Sequence, residues 1–332
     1  MNTNNDFVAI GDMVTDAFIR ISQASVNCDV NRIDCKLCIT FGDKVPYDDV
    51  FVLPAVGNSA NAAVAATRLG LKSALVANVG ADQEGEVCLK TLEGNGVDSS
   101  FVQKHDGMIT NYHYVLWYED ERTILVKHQA YNYTLPDIGN PKWLYLSSLA
   151  QNSLEYHNEI ADYLDSHPDI KLAFQPGTFQ MKLGVDKLQR LYARSEIFFC
   201  NVEEAKRILG ITENIEITDL LKKVSELGPK IVVITDGPRG AYAFDGVEAW
   251  FMPPYPDPKP PLERTGAGDA CASTFTAALA LGKTIPEALM WGPINSMSVV
   301  QYVGAQEGLL TREKLEEYIK NAPEEFKPTK LF

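Results

Sequence analysis

Residues 266–269, Gly-Ala-Gly-Asp, precede a run of small residues that ends in a glycine at 282, a pattern typical of a turn that opens a helix. Such a turn leaves backbone N–H groups without intrahelical acceptors at the positive end of the helix dipole, where they attract an anion. Because Gly266, Ala267 and Gly268 have small side chains or none, a phosphoryl group can approach the main chain closely. The sequence predicts an anion hole at these three residues.

Asp269 follows directly, so that a carboxylate would lie beside the bound anion. This is unfavourable for simple phosphate storage, because like charges repel. It is favourable for catalysis if the carboxylate accepts the proton of an attacking hydroxyl while the N–H groups hold the transferring phosphoryl group. We therefore predict that Asp269 is a general base. The structural alternative is that Asp269 only caps the helix and complements its dipole.

The elements around this motif predict an α/β fold. Apolar stretches that fit buried strands alternate with helical patterns, which is typical of a parallel sheet covered on both faces. The predicted strands are residues 7–10, 74–77, 143–146, 171–174, 197–200 and 231–234. The predicted helices are residues 59–69, 84–94, 153–165, 201–209 and 216–227.

Two segments break this rhythm, residues 16–56 and residues 110–128. Their alternating patterns indicate short antiparallel strands at 17–21 and 37–41 and a hairpin that turns at 119–122. We predict that they form a small sheet of their own, which closes over the substrate as a lid. We also predict a homodimer formed through this lid, because its edges and apolar face would otherwise be exposed.

Composition excludes several functional classes. The 332 residues carry a net charge of -14, which disfavours a surface that binds nucleic acid or acidic lipid. No apolar run approaches the roughly 20 residues that span a bilayer, and the first residues contain neither a basic nor an apolar segment. We therefore expect a cytoplasmic protein without nucleic-acid or membrane partners.

The six cysteines are too sparse to predict a disulfide framework. Cys35 and Cys38 have the spacing of a redox or metal pair, and Cys28 lies close to them in sequence. No second pair follows, and no histidine lies near them in sequence. We predict that these cysteines are reduced thiols in a sheet.

Residues 265–270, Thr-Gly-Ala-Gly-Asp-Ala, resemble the C-terminal signature of the ribokinase-like (PfkB) carbohydrate kinase family. Other motifs of that family recur in order, at residues 57–70, 78–85, 201–204 and 235–240. Several ordered motifs are more specific than any one of them. The resemblance covers nearly the whole chain. It implies one kinase domain over residues 1–332, a three-layer sandwich with a mostly parallel central sheet and a small β-sheet lid.

The resemblance also assigns residues to the acceptor. It implies that a sugar is held by Asp16, which follows the first strand, and by Gly57, Asn58 and Asn61 of the N-terminal motif, beside Asp269. A carboxylate and amides can satisfy several hydroxyl groups of a polyol at fixed angles.

For the nucleotide, the resemblance implies ATP and Mg²⁺ as cofactors. Asn201 and Glu204 would organise the metal through water, with Glu204 as the residue closest to it, and the alternative is an ordinary helix cap. The resemblance places Thr235 and Gly237 at phosphate or ribose, and Asn295 at the adenine.

Two departures from the family pattern bear on ligands. Asn58 stands where the family often has a lysine, which argues against a sugar phosphate as acceptor. Glu263 stands where aspartate is common. Members with that aspartate often bind a stimulating monovalent cation, so the cation stays open for this chain.

These observations predict a kinase that transfers the γ-phosphoryl group of ATP to a hydroxyl of a small sugar. A nucleoside is the alternative acceptor, because aromatic residues of the predicted lid could stack on a base. Those residues are Phe41, Tyr112, Tyr114 and Trp117, and the alternative, which we favour, is that they are ordinary strand residues that pack the lid. A catalytically silent ligand-binding member is a third interpretation, which the intact 266–269 motif disfavours.

Overall fold

A computed structural model describes residues 5–29, 35–119 and 121–332. The strands in these ranges are β1 (Phe7–Ile10), β2 (Val14–Arg20), β3 (Ser25–Asn27), β4 (Lys36–Cys38), β5 (Asp49–Val56), β6 (Ser73–Gly80), β7 (Val102–His105), β8 (Tyr112–Tyr118), β9 (Glu121–Leu125), β10 (Trp143–Leu146), β11 (Lys171–Phe174), β12 (Ser195–Asn201), β13 (Ile231–Thr235), β14 (Ala241–Phe244), β15 (Ala249–Met252) and β16 (Thr329–Lys330).

The helices in the same ranges are α1 (Asn58–Arg68), α2 (Gln83–Gly94), α3 (Leu154–Ser166), α4 (Thr178–Leu183), α5 (Val185–Arg194), α6 (Val202–Leu209), α7 (Ile217–Ser225), α8 (Ala267–Ala280), α9 (Ile285–Val299) and α10 (Arg312–Lys320). A single 3₁₀ turn occupies Gly237–Arg239. In the described part of the chain no helix is both long and apolar enough to cross a bilayer.

The central sheet has ten strands in the order β16-β15-β14-β13-β12-β11-β10-β1-β6-β7. The seven strands from β13 to β7 pair in parallel, and β14, β15 and β16 are added antiparallel at one edge. All six predicted strands lie in the parallel part. The mostly parallel sheet expected from the sequence is therefore confirmed.

Helices cover this sheet on both faces, because alternate side chains of each buried strand enter different cores. Phe7 and Ala9 of β1 pack in the core with α1, α2, α8, α9 and α10. Val8 and Ile10 pack in the core with α3, α5, α6 and α7. Burial on both sides explains why the strands are continuously apolar rather than alternating. The result is the predicted three-layer sandwich.

The predicted second sheet is present, and we call it the lid sheet: four strands in the order β5-β2-β8-β9, separate from the central sheet. β8 and β9 pair antiparallel, with Tyr118 opposite Glu121, as do β2 and β5, and residue 120 of the predicted turn lies outside the described residues. The central pair, β2 and β8, is parallel, a pairing that the alternating patterns of the two segments did not predict. Both strands follow parallel strands of the central sheet, β1 and β7, and therefore leave the same edge in the same direction.

The prediction for residues 37–41 needs correction. The strand there ends at Cys38 and pairs with β3 in a separate two-stranded hairpin. This hairpin places Cys28 opposite Cys35, because the pairs Val26–Leu37 and Asn27–Lys36 precede them in antiparallel register. The two residues form a disulfide, so the prediction of reduced thiols was wrong for them. Cys38 is a free, exposed thiol, as expected.

Candidate active site

Asp269 lies in the first turn of α8, and this helix begins directly after Gly266, a glycine in the left-handed region. Gly266 has φ of +78°, and a Cβ there would lie 2.3 Å from the Cβ of Ala305, so only glycine fits. Ala270 N donates to Gly266 O at 2.8 Å and closes the first helical turn. The N–H groups of Ala267, Gly268 and Asp269 precede that bond and have no intrahelical acceptor.

Three side-chain amides donate to the Asp269 carboxylate. Asn58 Nδ2 lies 2.7 Å and Gln175 Nε2 3.2 Å from Oδ1, while Asn61 Nδ2 lies 2.9 Å from Oδ2. Asn58 and Asn61 belong to the first turns of α1, and Gln175 follows β11. Both oxygens accept hydrogen bonds, an arrangement that fits an ionised carboxylate. Gln175 is not among the predicted site residues, because no motif surrounds it in the sequence.

Two further groups orient these amides. Gln306 Nε2 donates to Asn61 Oδ1 at 3.0 Å and to the backbone oxygen of Ala55 at 2.8 Å. Tyr145 OH donates to Gln175 Oε1 at 2.5 Å. With their oxygens engaged, Asn61 and Gln175 present N–H groups to Asp269. The carboxylate is therefore held in one orientation before any ligand binds.

Burial raises the pKa of Asp269 above its usual value. The hydrogen bonds from Asn61, Gln175 and Asn58 and the charge of Arg122 oppose that rise. A carboxylate with a raised pKa is a stronger base than an exposed aspartate, which suits proton removal from a hydroxyl.

Asp269 lines a cavity of about 610 Å³ between the lid sheet and the carboxyl ends of the parallel strands. The predicted residues that line this cavity are Asp16, Gly57, Asn58, Asn61, Asn201, Glu204, Thr235, Gly266, Gly268 and Asp269. The lid aromatics that could have stacked on a base do not line it. Phe41 is fully exposed on the surface, and Trp117 is buried.

A second cavity of about 290 Å³ adjoins the first. Thr235, Arg264 and Gly268 line both, whereas Gly237 and Ala267 line only the second. The N-terminus of α8 thus separates an acceptor-sized space from a second space, as the transfer of a group between two ligands requires.

Asn295 lines neither cavity, contrary to the prediction. Its side chain is fully buried, where Nδ2 donates to Thr274 Oγ1 and Oδ1 accepts from Leu310 N. The next two residues of α9, Ser296 and Met297, line the second cavity instead. Successive residues of a helix point about 100° apart, so a motif places the correct turn more reliably than the correct residue.

Asn201 and Glu204 form a reciprocal capping box at the start of α6. Glu204 N donates to Asn201 Oδ1 at 2.8 Å, and Asn201 N donates to Glu204 Oε2 at 2.9 Å. Both side chains also line the first cavity, and burial raises the pKa of the Glu204 carboxyl. The helix cap weighed from the sequence is therefore present, and it leaves Glu204 facing the ligand space.

The loop before α1 is fixed by its backbone. Gly57 has φ of +117°, and a Cβ there would lie 2.7 Å from the backbone oxygen of Asp12, so the position requires glycine.

Glu263 stabilises the loop that precedes α8. Its buried carboxylate accepts hydrogen bonds from Thr265 N at 2.6 Å and from Gly304 N at 2.8 Å.

Two carboxylate–imidazole pairs occupy the lid side of the cavity. His113 Nδ1 lies 3.3 Å from Asp16 Oδ1, because β2 and β8 pair these residues in register. His128 Nδ1 lies 3.0 Å from Asp12 Oδ2, and the ring centroids of the two histidines are 5.1 Å apart. The partners are far apart in sequence, so only the strand register could have revealed His113.

The chain belongs to the pfkB family carbohydrate kinases, whose family model matches residues 22–312. It is therefore a phosphotransferase that acts on an alcohol group, a sugar or nucleoside kinase. The predicted resemblance is confirmed.

Individual relatives agree with this membership. The chain is 28% identical to the Bacillus subtilis ribokinase over 270 residues, which is 79% of this chain and 87% of the relative. It is 28% identical to an ATP-dependent 6-phosphofructokinase of Thermoanaerobacterium thermosaccharolyticum over 263 residues, which is 75% and 80% of the two chains. The structure of Arabidopsis thaliana ribokinase complexed with ribose and ATP superimposes with a TM-score of 0.78 at 21% identity, over 95% of this chain and 99% of that one. The last likeness confirms the fold.

Proposed function

We propose that this pfkB-family kinase transfers the γ-phosphoryl group of ATP to a hydroxyl of a small sugar, with Asp269 as the general base. One observation carries the proposal: a carboxylate held by three amides lies beside the free N–H groups of α8, where two cavities meet. The ATP-dependent and ribokinase activities named for its relatives support both ligands.

The first cavity suits the acceptor. Asp16, Asn58 and Asn61 offer carboxylate and amide groups to hydroxyls, and the imidazole of His113 lies beside them. The acceptor hydroxyl would replace part of the amide contact to Asp269, since Asn58 and Gln175 share one oxygen. Asp269 would then orient this hydroxyl and take its proton as the new O–P bond forms.

The second cavity suits the nucleotide, with its phosphates directed at Gly268. The N–H groups of Ala267 and Gly268 would hold the charge of the transferring group, and Arg264 lines the junction beside them. Gly268 has open space where a Cβ would point, which leaves room for a phosphoryl group.

Mg²⁺ is the proposed cofactor, with Glu204 nearest to it. Glu204 supplies one carboxylate at the cavity wall, which fits a cation that keeps several water ligands and binds mainly to phosphates. The metal would neutralise charge on the nucleotide phosphates. A monovalent cation is not part of this proposal, because backbone amides already use both oxygens of Glu263.

The lid sheet is proposed to cover the acceptor and to form a homodimer. Its inner face, which includes Asp16 and His113, lines the cavity. Its outer face exposes apolar side chains, among them Val50, Val52, Tyr114 and Leu125. A second subunit that covers this face would remove it from water.

A panel of acceptors tests the proposed function. Purified protein, ATP and Mg²⁺ are mixed with sugars and nucleosides, and ADP release is measured. We expect acceptor-dependent ADP release with sugars above that with nucleosides. Release that is highest with a nucleoside would favour the alternative acceptor, and no release with any acceptor would contradict the proposed activity.

A further inference from the structure

Two cationic side chains that belong to no recognised motif line the first cavity, Arg122 and Lys182. Arg122 lies at the start of β9 in the lid sheet, and Lys182 lies in α4, which follows β11. One cation therefore comes from the lid and the other from the body of the protein. An ion placed between them would contact both parts.

Neither cation forms a salt bridge within residues 5–29, 35–119 and 121–332, although Arg122 lies near enough to Asp269 for its charge to lower the pKa of that carboxyl. The Nε atom of Arg122 is buried without a hydrogen-bond acceptor, whereas Lys182 is an exposed residue whose Nζ lies 5.6 Å from the ring centroid of Phe179. A buried donor without an acceptor costs free energy, and a ligand that supplies the acceptor removes that cost.

Two carboxylates of the same cavity, those of Asp12 and Asp16, already have other partners. Asp16 contacts His113, and Asp12 contacts His128 and accepts a hydrogen bond from Tyr133 OH at 2.8 Å. The two cations are therefore not there to neutralise these aspartates.

ATP does not account for these cations either. Arg264 lines both cavities, at the position where the nucleotide phosphates would meet the acceptor, whereas Arg122 and Lys182 line only the first cavity. The nucleotide thus has its own arginine, and the other two cations face the acceptor.

We propose that the acceptor is a polyol that carries an anionic group, a carboxylate or a phosphate, which Arg122 and Lys182 bind from opposite sides. This inference rests on the proposed kinase function and narrows its substrate class. Asn58, which stands where the family often has a lysine, argues against a sugar phosphate, but it is only one position of one motif. The cations come from two other segments, and arginine in particular can bind either anion with two N–H groups.

Matched acceptors test the proposal. One set is ribose, ribonate and ribose 5-phosphate, and another is fructose, fructuronate and fructose 6-phosphate. We expect at least one acidic member to exceed its neutral counterpart about tenfold or more in kcat/KM, since hydrogen bonds to charged groups are roughly twice as strong as neutral ones. Which acidic member is preferred separates a carboxylate site from a phosphate site.

Variants test whether Arg122 and Lys182 cause the preference for acidic acceptors. Arg122→Gln and Lys182→Gln should each lower kcat/KM for the acidic acceptor about 10- to 100-fold, mainly through KM. The KM for the neutral acceptor and the KM for ATP should change less than about threefold. Arg122→Lys keeps the charge and should recover part of the loss. Lys187→Gln, an exposed lysine of α5 outside the cavity, is the matched control and should behave as wild type.

Three outcomes would overturn the proposal. The first is a neutral sugar that equals or exceeds both acidic members of its set. The second is an unchanged KM for the acidic acceptor in the variants. The third is a lower kcat for every acceptor in Arg122→Gln, which would assign Arg122 to the transferring phosphoryl group. If no acceptor releases ADP, calorimetric binding of the same six compounds still tests the anion site, while the kinase function has failed separately.

Discussion

The central sheet and the lid sheet are built from similar residues but differ in burial. All four residues of β1 and of β10 are buried, whereas β5 exposes its first four residues and β9 is mostly exposed. The central strands therefore supply stability. The lid strands supply cavity residues on one face and an apolar surface on the other.

This difference suggests that the body of the protein carries the catalytic residues and that the lid sheet determines acceptor choice and assembly. Asp269 and its three amide donors belong to α8, α1 and the end of β11, all packed on the central sheet. Asp16, His113 and Arg122 reach the same cavity from the lid sheet. We expect changes in the body to abolish turnover or stability, and changes in the lid to alter acceptor choice or assembly.

The largest expected effect is that of Asp269→Asn. Loss of the general base should lower kcat about 10²–10⁴-fold, while binding of ATP and acceptor persists. Stability should change little, because two effects oppose each other. Burial raises the pKa of Asp269, so the ionised group destabilises the fold at neutral pH and its removal is favourable. The new amide N–H₂, however, must face one of the three amide donors.

Turnover, calorimetry and thermal unfolding of the purified variant check this prediction. Asp186→Asn is the control, since it removes an exposed first-turn aspartate from α5 and should retain full activity. More than about a tenth of wild-type turnover in Asp269→Asn would exclude Asp269 as the base. A joint collapse of binding and melting temperature would make it structural.

The sequence predicted the body of the site better than its lid. The residues around Asp269 lie in short motifs at strand and helix ends. Their positions in the fold can therefore be predicted from their positions in the sequence. His113 and Arg122 of the lid sheet have no such context, and neither has Gln175 of the body, because their places depend on strand register and loop path. The same limit explains Cys28 and Cys35, whose pairing follows from the register of a three-residue hairpin.

The second prediction compares the effects on stability of substituting one leucine in the central sheet and one in the lid sheet. Leu144→Ala removes a fully buried side chain from β10 and should lower the free energy of unfolding by about 2–5 kcal/mol. Leu125→Glu changes a half-exposed side chain on the outer face of the lid sheet and should cost less than about 1 kcal/mol in the monomer. It should, however, convert the dimer to monomer.

Urea denaturation and sedimentation velocity measure these two effects. Leu125→Ala is the matched truncation for Leu144→Ala and should lose little stability at low protein concentration. A wild-type protein that sediments as a monomer would remove the proposed dimer while leaving the lid. Equal losses for the two alanine variants in a monomer would contradict the contrast between the sheets.

The third prediction concerns the metal. Glu204→Gln should raise the Mg²⁺ concentration needed for half-maximal rate several-fold, because one carboxylate near the hydrated cation is lost. The helix should be retained, since glutamine also completes a capping box. Glu287→Gln is a close control: Glu287 forms the same box with Thr284 on α9, away from both cavities. An unchanged Mg²⁺ requirement in Glu204→Gln would assign Glu204 to capping alone.

The smallest expected effect is a shift in pH dependence. Burial raises the pKa of Asp269, so the base is protonated and lost as pH falls through a value above 3.8, the usual aspartate pKa. The acidic limb of the kcat/KM profile should therefore lie at higher pH than for an exposed aspartate.

The pKa of Glu204 is raised as well, so the limb is measured again in Glu204→Gln, where only the contribution of Asp269 should remain. Gln175→Leu removes one of the hydrogen bonds that lower the pKa of Asp269 and should move that limb to still higher pH. A limb that Gln175→Leu leaves in place, or moves to lower pH, would show that a group other than Asp269 controls it.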